Sequence, residues 1–122
     1  MPTYILNKSN PKSTLRRKFI LTIKLIRWFN ENYVSSGNFC DPDISPLYAD
    51  LHGMPPALFT VGTLDPLIDD SLFMHLRWLA AGNPAELAIY PGGIHAFDAF
   101  PIELAGKANN RITEFIRECT AE

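Results

Sequence analysis

Leu58-Phe59-Thr60-Val61-Gly62-Thr63-Leu64-Asp65-Pro66-Leu67 and Leu87-Ala88-Ile89-Tyr90-Pro91-Gly92-Gly93-Ile94-His95-Ala96-Phe97 share one layout. A short apolar, β-prone run meets a glycine or proline and then a residue with chemistry, an acid in the first and a histidine in the second. A buried strand that ends in an exposed loop gives that layout. Between them, residues 71–81 carry Leu72, Phe73, Leu76 and Leu79 on an apolar helical pattern. Asp69 and Asp70 precede it, where acids suit N-capping and the helix dipole, and Gly82-Asn83-Pro84 ends it. Strand 57–61, helix 71–81 and strand 85–90 then read as parallel strands joined by a right-handed crossover. The fold class is α/β.

The flanks extend the pattern. A last helix is expected over residues 102–119, burying Leu104, Ala108, Ile112, Phe115 and Ile116. Residues 34–56 read as an irregular linker, because Ser35-Ser36-Gly37-Asn38 and Asp41-Pro42-Asp43 form turns while Ser45-Pro46 and Met54-Pro55-Pro56 oppose helix. Residues 15–33 read as a helix, with Phe19, Ile23, Ile26, Phe29 and Tyr33 on one side and Arg16, Lys24 and Arg27 opposite. That pattern suits a basic membrane-surface helix or a helix whose apolar side docks on protein, and the spread of apolar residues to Leu21, Leu25 and Trp28 favours docking. Residues 1–14 are expected to be an irregular tail. The organisation is thus 1–14 tail, 15–34 amphipathic helix and 35–122 α/β unit.

Charge divides the same way. The first 30 residues hold seven of the 11 basic residues and no acid, while all 13 acidic residues follow them. A basic head on an acidic body suggests two segments of different environment. Cys40 and Cys119 have no metal spacing and read as free thiols of a reducing compartment, which makes a cytoplasmic location the expectation. No apolar run approaches the roughly 18–20 residues of a membrane-spanning helix, and residues 1–30 lack the pattern of a signal peptide. Phosphate-binding glycine loops and aromatic–basic nucleic-acid motifs are absent from the sequence, so no nucleic-acid partner is expected.

The candidate site residues are Asp65 and His95. An imidazole that relays protons needs a carboxylate to fix its tautomer, and 30 positions between the two leave room for one helix and one strand. Adjacent parallel strands would bring both loops to the sheet edge where α/β ligands bind. Each residue also has a plainer reading, Asp65 as a turn or cap residue before Pro66 and His95 as a loop histidine. Asp69 and Asp70 compete for the acid role, but their place favours capping. His52 and His75 read as exposed or structural, and three dispersed histidines without a completing Cys or carboxylate argue against zinc. Ser45 and Ser71 lack the glycine-flanked elbow that presents a nucleophile.

Beyond these features, the text from Asp41-Pro42-Asp43-Ile44-Ser45-Pro46-Leu47 through Val61-Gly62-Thr63-Leu64-Asp65-Pro66-Leu67-Ile68-Asp69-Asp70, Ala81-Gly82-Asn83 and Tyr90-Pro91-Gly92-Gly93-Ile94-His95-Ala96-Phe97 resembles the hormone-sensitive-lipase-like branch of the α/β-hydrolases, fold-3. The resemblance covers about residues 20–119 and matches the C-terminal part of that fold. It implies that Asp65 is the acid and His95 the general base of a Ser-His-Asp triad. It also implies that the helix near residues 20–34 is part of a lid over the acyl pocket, and that no metal or organic cofactor is used. Ala96 stands where the family often has glycine.

The serine elbow Gly-x-Ser-x-Gly and the His-Gly-Gly oxyanion loop of that family have no counterpart in these 122 residues. The expectation is therefore a truncated carboxylic-ester hydrolase, inactive alone. It would act on a small ester only when a serine-bearing portion completes it. The alternative is a non-catalytic interaction module that pairs, with itself or a partner, through an open strand edge and the basic helix.

Overall fold

The computed structural model describes residues 20–34 and 37–121. The expected tail at 1–14 and the start of the N-terminal helix lie outside them. The described elements are helix α1 (Ile23–Tyr33), a 3-10 turn (Pro46–Tyr48), strand β1 (Ala57–Gly62), helix α2 (Ile68–Ala80), strand β2 (Ala85–Tyr90), a second 3-10 turn (Phe97–Ala99) and helix α3 (Glu103–Thr120).

β1 and β2 pair in parallel, in register from Ala57 with Ala85 to Gly62 with Tyr90. Neighbouring side chains along a strand point to opposite faces, and the two helices use both. Phe59 meets the rings of Trp78 and His75 from α2, each with centroids 5.9 Å away. Glu86 is the register partner of Leu58 and therefore faces the other way, where it pairs with Arg111 of α3. On the α3 side, Ala105 and Ala108 are buried beside the sheet, and Phe97 is buried with its ring centroid 5.2 Å from that of Tyr90. The core is small: Leu51, Val61, Trp78, Phe97, Ala105 and Ala108 form most of it.

The stretch read as a linker is irregular but held. Asn83, buried in the turn between α2 and β2, donates from Nδ2 to the Leu51 carbonyl at 2.5 Å and accepts the Met54 amide on Oδ1 at 3.1 Å. Trp78 donates from Nε1 to the Pro55 carbonyl at 2.9 Å, and Arg77 from Nη2 to that of Ala49 at 3.0 Å. These bonds satisfy backbone groups of a segment that belongs to neither strand.

Several expectations need correction. α1 begins at Ile23, because Thr22 is extended and its hydroxyl accepts the Leu25 amide at 3.2 Å, an N-cap that stops the helix there. Within the described residues only part of its apolar side is covered: Ile26 is buried, whereas Ile23, Phe29 and Tyr33 are exposed. Asp69 and Asp70 do not cap α2; they lie in its first turn, after Leu67 at the cap. Finally, Phe73, Leu76 and Leu79 are exposed, and α2 instead buries Trp78, whose indole N–H has found a carbonyl. Ile116 of α3 is exposed likewise.

Candidate active site

Both loops leave the same end of the sheet, because the strands are parallel and in register to their last residues. Gly62 closes β1 so near the second loop that a Cβ there would overlap the Gly93 carbonyl. Only glycine fits such a backbone approach. Two backbone bonds then join the loops, from the Thr63 amide to the Tyr90 carbonyl at 3.0 Å and from the Leu64 amide to the Gly93 carbonyl at 2.9 Å. The spacing of Asp65 and His95 anticipates the meeting of these loops; the Gly62–Gly93 contact and the part of Thr63 are absent from the sequence reading. A glycine closing a β-branched run is the signal that could have found the contact.

Asp65 is fixed within its own turn. Its amide donates to the Gly62 carbonyl at 3.1 Å, and its carboxylate Oδ1 accepts the Leu67 amide at 2.8 Å. The second oxygen, Oδ2, lies 3.0 Å from Nδ1 of His95. An ionised carboxylate can only accept, so Nδ1 carries the proton in this pair and Nε2 of the neutral ring is left as an acceptor. The exposures divide the roles: the Asp65 side chain is 11% accessible and the His95 side chain 37%. A covered acid orients an imidazole that reaches the surface. After it, Ala96 turns through a left-handed backbone conformation, φ 57°, which allows the Phe97–Ala99 turn to fold back under the sheet.

The competing groups stand elsewhere. Asp70 lines a shallow, mostly apolar cleft of about 280 Å³ with Ser45, Pro46, Leu47 and Met74. Burial pushes its carboxyl above the ordinary carboxylate range, and the charges of Asp69 and Asp65 add to the effect. Neither Asp65 nor His95 lines that cleft. His52 pairs with Asp50 on the surface at 2.6 Å, and that contact holds the Asp50 carboxyl below its usual range. Cys40 and Cys119 are free thiols. Among the described residues no three His, Cys, Asp or Glu side chains gather as a metal ion would require, and no helix is long and apolar enough to cross a membrane.

The alpha/beta hydrolase fold family matches residues 1–99 of this chain. An acetyl-hydrolase of Streptomyces hygroscopicus is 29% identical over 108 residues, which cover 87% of this chain and 36% of that protein. Among solved structures, the thermostable carboxylesterase EstE1 from a metagenomic library superimposes with a TM-score of 0.83 at 29% identity, over 87% of this chain and 37% of that one. An esterase of the bacterial hormone-sensitive lipase family gives a TM-score of 0.78 at 33% identity, over 81% and 34% of the two chains. The chain thus spans about a third of the length of these relatives.

Proposed function

This chain belongs to the α/β-hydrolase fold family, in its esterase- and lipase-like fold-3 branch, and from that premise we propose that Asp65 and His95 are the acid and the general base of a carboxylic-ester hydrolase. The observation that carries the reading is the 3.0 Å contact between Asp65 Oδ2 and His95 Nδ1 at neighbouring strand ends. In the reaction, His95 Nε2 takes the proton of a serine hydroxyl as that oxygen attacks the ester carbonyl. Asp65 holds the tautomer that makes this possible and stabilises the imidazolium that forms. His95 then returns the proton to the departing alcohol, and the acyl-enzyme is hydrolysed by water activated in the same way.

The serine and the oxyanion donors come from outside these 122 residues, which contain neither Gly-x-Ser-x-Gly nor His-Gly-Gly. A single oxyanion donor is worth about 3 kcal/mol of transition-state stabilisation, so the chain by itself does not turn over esters at an enzymatic rate. The substrate is a small ester, no metal or organic cofactor takes part, and the free thiols suit the cytoplasm. The test is hydrolysis of p-nitrophenyl acetate by the chain alone and after mixing with a separately expressed serine-bearing portion of a related esterase. Turnover only in the mixture, and lost with His95→Ala, supports the proposal. Turnover that survives His95→Ala refutes it.

A second reading is favoured by α1, whose Ile23, Trp28, Phe29 and Tyr33 are exposed together, and by the two-stranded sheet. These surfaces suit self-association or a protein partner through a strand edge, with no catalytic part for the pair. Association that is unchanged by His95→Ala, with no gain of turnover from the serine-bearing portion, would favour it.

A further inference from the structure

The reading of Asp65 and His95 leaves open what fixes one loop against the other. Asp65 is set by its own turn, through the Gly62 carbonyl and the Leu67 amide. His95 rides on the 90–93 turn, which closes on itself when the Gly93 amide donates to the Tyr90 carbonyl at 3.1 Å. Each turn is a small rigid unit, and the distance between their side chains depends on the bonds that cross.

Register pairing stops at Gly62 and Tyr90, and Pro91 has no N–H with which to continue it. Two of the three crossing bonds are backbone bonds from the Thr63 and Leu64 amides, both directed from the acid loop to the histidine loop. The third runs the other way. Gly92, at φ 79°, turns its amide toward the acid loop, and the Thr63 hydroxyl oxygen accepts it at 2.9 Å. Apart from the Asp65–His95 contact itself, this is the crossing bond among the described residues in which a side chain takes part, with Thr63 two residues before Asp65 and Gly92 three before His95.

We infer that Thr63 is a positioning residue: by accepting the Gly92 amide, its hydroxyl locks the histidine loop to the acid loop and keeps the imidazole in hydrogen-bond register with Asp65. The inference rests on the proposed acid–base pair and adds to it the device that maintains its geometry. Valine has nearly the shape of threonine but no acceptor, so Thr63→Val isolates the bond from the packing. Serine retains the acceptor and loses only a methyl.

The test uses the full chain with nitrogen-15 in its histidine rings, observed by NMR at mildly alkaline pH with the melting temperature measured alongside. The expected result is that the wild type and Thr63→Ser hold the His95 proton on Nδ1. In Thr63→Val that proton is shared with Nε2 and exchanges with water about tenfold faster, at a scale set by one ordinary hydrogen bond. Thr63→Ala, which removes the acceptor with no added methyl, gives the same change if Thr63→Val folds poorly. An unchanged His95 tautomer and exchange rate in the folded Val or Ala variant overturns the inference. So does the same loss in Thr63→Ser, which would assign the effect to packing. Asp65→Asn is the control: if it leaves the tautomer of His95 unchanged, the acid–base pair itself is wrong, a failure distinct from that of the clamp.

Discussion

Ala96 carries a left-handed backbone one residue after the imidazole, and it is the non-glycine residue with positive φ among those described. A Cβ in that region costs about 1–2 kcal/mol, part of which glycine would give back through its freer unfolded chain. Ala96→Gly should raise the unfolding free energy by about 1 kcal/mol in urea titrations, with no change in the slope. The resemblance marked this position as one where relatives carry glycine, and φ 57° supplies the reason. The meeting of Asp65 and His95 was legible because each is a chemical residue placed after a strand-like run. Gly62 and Thr63 were not, because they act through contacts with a loop distant in sequence, 29 residues away for Thr63 and Gly92, which no local pattern records.

Among the elements, period decided existence better than it decided the buried face. The strands read from β-prone runs differ from the observed ones by one residue, Gly62. On α2, Leu72, Phe73, Leu76 and Leu79 revealed a helix, yet the indole of Trp78 takes the buried place, its N–H donating to the Pro55 carbonyl. Residues 20–22 read as helix because Thr22 looks like one more β-branched residue in an apolar run until its capping bond is seen. Thr22→Ala should cost about 1 kcal/mol of local stability. Hydrogen exchange should show it as faster exchange of the α1 amides with those of α2 unaffected. Asp70 in the first turn of α2 makes a pH prediction. Its folded-state pKa is raised by burial, so the folded chain binds that proton more tightly than the unfolded chain does. The contribution of Asp70 to stability therefore falls as pH rises from about 4 through the folded value. Asp70→Asn should gain stability relative to wild type over that window and keep the gain at neutral pH, as thermal melts across the acidic range would show.

At the scale of the whole molecule, a two-stranded parallel sheet with helices on both faces buries a modest core, while Ile20, Trp28, Phe29, Leu76 and Ile116 stay exposed. Parallel sheets are normally larger and covered throughout, so this surface invites further structure. The chain's span of about a third of its esterase relatives agrees with that picture. The α/β class and the parallel crossover were legible in the sequence, whereas the exposure of α1 was not, because an amphipathic pattern cannot tell which protein surface covers it.

Asp65 and His95 are proposed to supply the acid–base half of an esterase triad. That role is tested most directly by grafting this chain in place of the C-terminal third of a related acetyl esterase and measuring kcat on p-nitrophenyl acetate. The chimaera should turn over the ester, with a loss on the order of 10⁴-fold in Asp65→Asn and on the order of 10⁶-fold in His95→Ala, each at unchanged fold. A chimaera whose kcat is indifferent to either substitution would contradict it.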